Sequence, residues 1–135
     1  MQELPGKADC LWTATAPLTH YERLQGQHRF DVVIVDPPAF IKRKKDHPKG
    51  LAAYRRINQL AMQLLDRDGL LLSCSCSYHM GPGELTDAVQ RAARHLGRFA
   101  QLIIVGAQSP DHPVHPAIDE TRYLRAFLFR VTDSC

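Results

Sequence analysis

The stretch Phe30-Asp-Val-Val-Ile-Val-Asp-Pro-Pro-Ala-Phe40 decides the fold prediction, because an apolar run is followed at once by an acid and two prolines. A short run rich in β-branched residues and ended by a breaker is typical of a central parallel strand covered on both faces. Proline restrains its own backbone and that of the preceding residue, so Asp36 and Pro37 are held in extended or turn geometry. Open α/β sheets bind ligands at the carboxyl ends of such strands. We therefore expect Asp36 to face a binding crevice.

Helical and strand patterns alternate after this stretch. Apolar residues recur at helical spacing from about Lys49 to Leu65 and from Pro82 to Leu96, while Asp66 to Gly69 is expected to end the first helix. The order strand, helix, strand, helix, strand, strand predicts parallel neighbours and a final antiparallel pair. The predicted fold class is α/β, a partial Rossmann-like sheet that is mostly parallel with an antiparallel C-terminal hairpin. Its later strands are predicted at 70–77, 100–105 and 123–131.

Length and composition narrow the class of protein. A chain of 135 residues, 44% hydrophobic and 23% charged, predicts one globular domain. The absence of a signal pattern and of any membrane-length apolar run predicts a soluble cytoplasmic protein without a membrane partner. The cysteines at 10, 74, 76 and 135 suit neither a disulfide framework nor a zinc site, so reduced thiols are expected. His112 and His115 lack a third ligand at a plausible spacing, and no metal site is predicted.

Positive charge is concentrated after the Asp36 turn. The formal net charge is only +3, but seven basic residues fall between positions 42 and 56, with Asp46 as the only acid among them. Such a run can be a solvated loop, but its position beside a candidate site favours contact with a phosphate backbone. We call Lys42-Arg-Lys-Lys45 the basic segment.

A thiol is predicted in the same crevice as Asp36. Ser75, Cys76 and Ser77 end the second strand, and parallel neighbours point the same way. Strand alternation puts Cys74 and Cys76 on one face with Cys74 deeper, so Cys76 is the exposed thiol. A strand cysteine more often packs as a small hydrophobe, but at this edge Cys76 is a candidate nucleophile. Tyr54 is expected in the core, and Asn58 could brace the Asp36 turn.

Five motifs in order resemble the C-terminal half of the class I S-adenosylmethionine-dependent large-subunit ribosomal RNA cytosine-C5 methyltransferases. Each motif is weak by itself, but together they cover about residues 30 to 131. The motifs are Phe30-Asp-Val-Val-Ile-Val-Asp-Pro-Pro-Ala-Phe40, Tyr54-Arg-Arg-Ile-Asn-Gln-Leu-Ala61, Ser75-Cys-Ser77, Asp111-His-Pro-Val114 and Glu120-Thr-Arg-Tyr-Leu124.

The resemblance implies S-adenosylmethionine as cofactor and RNA, in particular ribosomal RNA, as partner. It implies that Cys76 attacks cytosine C6 and that Asp36 binds and polarises the base, which must be flipped out of its stack. Asp36 and Pro37 would also border the cofactor, and Asp9 is a further candidate, although its spacing to Asp36 is too long for the family pattern. The predicted substrate contacts are Pro37, Pro38, Phe40, Ser75, Ser77, Lys42, Arg43, Lys44 and Lys45.

The chain departs from the family pattern at the cofactor. It has neither the Gly-rich turn after the first sheet strand nor the acid that ends the second, and the family's N-terminal RNA-binding domain is absent. We therefore expect a fragment or truncated gene product that does not transfer methyl groups alone. Residues 1–29 would be a poorly defined N-terminal segment and residues 30–135 the C-terminal half of a catalytic domain. An open edge on strand 30–35 would favour a homodimer through that edge or through the N-terminal segment.

Two other functions stay open. Asp-Pro-Pro-Phe-like turns also occur in methyltransferases that modify exocyclic amino groups such as that of adenine, and that chemistry needs no thiol. A non-catalytic remnant that binds RNA or a protein through residues 42–56 is the third hypothesis.

Overall fold

The computed structural model describes residues 10–13, 18–26 and 29–133, which form a sheet flanked by helices. Short 3-10 turns lie at Lys44–Asp46 and Asp119–Thr121. The longer elements, in chain order, are β1 Cys10–Thr13, α1 Leu18–Leu24, β2 Phe30–Val35, α2 His47–Leu64, β3 Leu65–Ser75, α3 Pro82–His95, β4 Phe99–Gly106 and β5 Arg125–Thr132.

The strands are ordered β1-β2-β3-β5-β4 in the described sheet. β1, β2 and β3 run parallel, and β5 runs antiparallel to both β3 and β4. The predicted α/β class and antiparallel C-terminal hairpin are confirmed. The expectation that β3 and β4 would be neighbours is wrong, because β5 lies between them. Phe127, Phe129 and Val131 of β5 are buried whereas residues 101–105 of β4 are exposed, as expected for an inner strand and an edge strand.

The start of β3 differs from the predicted turn at Asp66 to Gly69. Asp68 pairs with Thr132 and Gly69 with Val131, so this segment is strand from Leu65 onward. Arg130 also donates two hydrogen bonds to Asp68, at 2.9 and 2.7 Å, and thereby lowers the pKa of that carboxyl. Pairing with the far end of the chain overrides the local turn signal.

The edge of β2 is not open in the structure. β1 pairs with it in parallel, from Cys10 opposite Val32 to Thr13 opposite Val35. The expectation of an unpaired β2 edge is therefore wrong, because a strand within residues 1–29 supplies the missing partner. The homodimer stays a prediction.

Helices α2 and α3 pack together on one face of the sheet. Val33, Val35 and Leu71 face them and are fully buried, while Ile34 and Leu72 on the opposite face are partly exposed. In the described ranges no helix combines the length and the apolar character that crossing a membrane requires.

Candidate active site

Asp36 and Cys76 lie at the carboxyl ends of two neighbouring parallel strands, β2 and β3. The register pairs Ile34 with Leu72 and Val35 with Ser73. By alternation, Asp36 and Cys76 continue the sheet face opposite α2 and α3. Both residues are partly exposed, and the charge of Asp36 acts on Cys76. The structure thus brings the predicted acid and thiol to the same edge of the sheet.

The surroundings of Cys76 favour the protonated form of its thiol. Burial raises its pKa, and the negative charge of Asp36 raises it further. The thiol donates a long hydrogen bond to the carbonyl of Pro37, with 3.9 Å between sulfur and oxygen. Cys74 is more deeply buried at 8% exposure, as strand alternation predicts, and burial raises its pKa to about 11. Cys76 is therefore the more accessible of the two strand thiols.

A buried group of hydroxyls braces the segment that carries Cys76. Ser75 donates to the Tyr54 hydroxyl at 3.2 Å, and Tyr54 lies 2.7 Å from the hydroxyl of Ser77. Ser77 also accepts the backbone N–H of Ile41 at 3.2 Å, and its own N–H donates to Ser75 at 3.2 Å. These bonds are mutually consistent if Tyr54 donates to Ser77. These bonds join helix α2 to the turn after β2 and to the end of β3. The two serines that take part lie directly before and after Cys76 in the sequence.

Packing holds the Asp36 turn against the start of α2. Ile41 is 1% exposed, and the rings of Phe40 and Tyr54 meet edge to face with centroids 4.8 Å apart. A Cβ at Gly50 would overlap the side chain of Ile41 and lie 3.1 Å from the Phe40 carbonyl. The glycine therefore allows the turn to lie directly on the helix.

The serines and Asn58 have roles that sequence reasoning missed. Ser75 and Ser77 are almost fully buried and their hydroxyls bond to Tyr54, so their contact with substrate stays a prediction. The Asn58 side-chain N–H donates to the carbonyl of Tyr54 within α2 at 2.8 Å, not to the Asp36 turn. The side chain that braces the turn is Tyr54. Helical spacing predicts that Tyr54 lies in the core, but the neighbouring sequence does not indicate the hydrogen-bond partners of its hydroxyl.

The basic segment is exposed at every position from Lys42 to Lys45. Arg43 is ion-paired with Asp46 at 3.1 Å, which leaves it less available for other contacts. Across the described ranges, the three lysines of the segment have no ion pair with a carboxylate. They can therefore contact an external anion without breaking an internal pair.

Neither a metal nor a complete cofactor site is built from the described residues. In the ranges 10–13, 18–26 and 29–133, no three His, Cys, Asp or Glu side chains gather to hold a metal ion. Asp36 and the buried Pro37 could line one side of an S-adenosylmethionine site. No described glycine directly follows β1 or β2, however, so the Gly-rich turn that would hold the rest is lacking here. Asp9 lies outside the described residues.

The fold matches that of known methyltransferases. A structure described as a methyltransferase complexed with SAH aligns with a TM-score of 0.67 at 12% identity, covering 86% of this chain and 30% of that one. A structure from Streptococcus mutans, described as a SAM-dependent methyltransferase, aligns with a TM-score of 0.63 at 15% identity, covering 84% and 28%. The fold is the Rossmann-like fold of S-adenosylmethionine-dependent methyltransferases.

Sequence comparison finds relatives with ribosomal RNA in their names. The chain is 40% identical over 109 residues to ribosomal RNA large subunit methyltransferase I of Serratia proteamaculans, covering 81% of this chain and 27% of the relative. It is 39% identical over 103 residues to the protein of the same name from Escherichia coli O1:K1, covering 76% and 26%. No protein-family model matches the chain. The chain thus spans about a quarter of the length of these curated relatives.

Proposed function

We propose that this chain carries the base-binding and nucleophilic part of an S-adenosylmethionine-dependent methyltransferase that modifies cytosine C5 in ribosomal RNA. The observation that carries the proposal is the meeting of Asp36 and Cys76 at the ends of β2 and β3. Support comes from the methyltransferase fold and from relatives that are named ribosomal RNA methyltransferases.

The chemistry starts from a protonated thiol beside a carboxylate. When a flipped cytosine enters the crevice, the Cys76 proton passes to Asp36 and the thiolate forms a bond to C6 of the base. Asp36 then donates that proton to N3, and the electron pair of the C5–C6 double bond becomes available at C5. S-adenosylmethionine, when bound, would supply the methyl group that C5 takes up. A solvent base then removes the C5 proton, which restores the C5–C6 double bond and expels the Cys76 thiolate. N3 returns its proton through Asp36 to that thiolate, so both side chains end in their starting forms.

The surrounding residues hold this geometry. Tyr54, Ser75 and Ser77 position Cys76, because their hydrogen bonds join the ends of both strands. Pro37, Pro38 and Phe40 would shape the base pocket, and the basic segment would contact RNA phosphates. Asp36 and Pro37 would border the cofactor.

Covalent trapping tests the nucleophile without requiring the cofactor. RNA that contains 5-azacytidine can be attacked at C6 and protonated at N5, which leaves a stable thioether. We expect a denaturation-resistant adduct that maps to Cys76 by mass spectrometry. Cys76→Ala should abolish it, and Cys74→Ala should retain it.

Other outcomes would select another function. RNA binding without an adduct, together with methyl transfer from S-adenosylmethionine to adenine amino groups that survives Cys76→Ala, would indicate amino-group methylation. RNA binding without adduct, cofactor binding or methyl transfer would indicate a non-catalytic RNA-binding protein.

A further inference from the structure

A second cationic feature lies on the other side of β3 from the basic segment. A cavity of about 230 Å³ opens between the start of α3, the end of β4 and the start of β5. Two arginines line it, and of the described residues that form its walls none is acidic. The residues that line the cavity include Pro82, Gly106, Gln108, Arg122, Arg125 and Phe127.

Arg125 has a buried nitrogen with no acceptor. Its Nη1 is out of contact with solvent, and no described residue accepts a hydrogen bond from it. Arg43, Arg91 and Arg130, by contrast, each pair with a carboxylate at 3.1 Å or less. Desolvating part of a guanidinium without an acceptor is costly. Arg125 as a whole is only partly buried, so a rotation of its guanidinium toward an anion in the cavity would remove that cost.

The side chain of Gln108, the other polar side chain in the described wall, does not supply the acceptor that Arg125 Nη1 lacks. The Gln108 side-chain oxygen already accepts the backbone N–H groups of Tyr123 and Leu124, at 3.0 and 3.4 Å. Its amide nitrogen donates to the carbonyl of His112 at 2.8 Å. The described wall is otherwise mainly apolar, so the cavity presents two guanidinium groups to a ligand from outside.

The position of Arg125 relates this cavity to Cys76. Arg125 pairs with Ser75 across β3 and β5, one residue before Cys76. In the sheet β2 lies on one side of β3 and β5 on the other. Strand alternation puts Arg125, like Ser75, on the face of the sheet that carries α3, and Cys76 on the opposite face. The arginine cavity and Cys76 therefore approach each other at the carboxyl edge of the sheet.

We propose that Arg125, with Arg122, binds a phosphodiester group of the RNA chain where that chain crosses the carboxyl edge of the sheet from the base held at Cys76. The planar guanidinium fork matches two phosphate oxygens, which suits a phosphodiester better than a single point charge does. One phosphate would then be held by the basic segment and another by this arginine pair. The identity of the ligand rests on the proposed function; the anion site rests on the cavity itself.

The test is fluorescence anisotropy of a short labelled single-stranded RNA, titrated with the whole chain in a series of KCl concentrations without cofactor. Arg125→Gln should weaken binding about 3- to 10-fold and reduce the slope of log Kd against log salt by about 0.7. Arg130→Gln is the matched control, since it removes the same charge from the same strand at a residue already paired with Asp68. It should change Kd less than about twofold.

Equal losses in the two variants, or none in Arg125→Gln, would overturn the proposal. If Arg125→Gln folds poorly by circular dichroism, the exposed Arg122→Gln makes the same test with an expected smaller loss. Titration with inorganic phosphate, followed by the NMR signal of the Arg125 Nε–H, separates a general anion site from one that needs the RNA chain. A shift with RNA but not with phosphate would mean that neighbouring nucleotides are required, and no shift with either would reject the site.

These outcomes are independent of methyl transfer. Loss of RNA affinity in Arg125→Gln without any azacytidine adduct would retain the phosphate site and reject the Cys76 chemistry. An adduct combined with unchanged affinity in Arg125→Gln would retain the Cys76 chemistry and reject the phosphate site.

Discussion

Residues 36–46, after β2, and residues 107–124, before β5, both border the carboxyl edge of the sheet but are held by different interactions. The first loop is attached to the core through Ile41, which is buried and donates its N–H to Ser77. The second is exposed from residue 109 to residue 120 and is bonded mainly to itself. Its internal bonds include Gln108 to His112 at 2.8 Å and Thr121 to Ile118 at 2.7 Å.

The two loops therefore differ in how firmly the rest of the fold holds them. Buried contacts resist displacement, so the first loop keeps Asp36 in a constant position relative to Cys76. Exposed hydrogen bonds open at little cost in free energy, so the second loop can change conformation when a ligand binds. One link joins it to the Cys76 segment, where Tyr78 donates to Asp119 at 3.2 Å.

The largest difference is expected from the same substitution made in each loop. Ile41→Ala should lower the free energy of unfolding by about 2–4 kcal/mol, because it leaves a cavity between the turn and α2. Ile118→Ala, at a side chain 48% exposed, should change it by less than about 0.5 kcal/mol. Urea unfolding followed by circular dichroism measures both, and similar losses would contradict the comparison.

Hydroxyl deletion sharpens the comparison at a single atom. Tyr54→Phe should cost about 1–3 kcal/mol, because the hydroxyls of Ser75 and Ser77 lose their shared buried partner. Hydrogen exchange should also accelerate at the Ile41 and Ser77 amides. The matched control is Tyr123→Phe, whose hydroxyl lies 3.3 Å from His112 in the exposed loop. Unchanged exchange in Tyr54→Phe would mean that the hydroxyl group does not brace the site.

The smallest effect is electrostatic and concerns thiol reactivity. Asp36→Asn removes a negative charge that raises the pKa of Cys76, so the pKa should fall and more thiolate should be present at a given pH. With Cys10 and Cys135 replaced by serine, alkylation of Cys76 should become about two- to tenfold faster below its pKa. Asp111→Asn, in the exposed loop, should leave the pH profile unchanged. A profile displaced to higher pH in Asp36→Asn would refute the assignment.

Much of the scaffold is visible in local sequence patterns. Apolar periodicity indicates α2 and α3 to within about two residues, and the run from Phe30 to Val35 matches β2. The positions of Asp36 and Cys76 also follow from the sequence, because each comes at or just after the end of a predicted strand. Such inferences succeed because they depend on neighbouring residues along the chain.

Tertiary structure decides the features that depend on distant partners. The first residues of β3 are strand because they pair with β5, about sixty residues later, although their composition indicates a turn. The insertion of β5 between β3 and β4 and the pairing of β1 with β2 both join separate segments of the chain. The hydroxyl partners of Tyr54 and the unpaired nitrogen of Arg125 likewise appear only when separate elements meet. Local periodicity carries no information about which segments meet across space, and those meetings form the surroundings of the candidate site at Asp36 and Cys76.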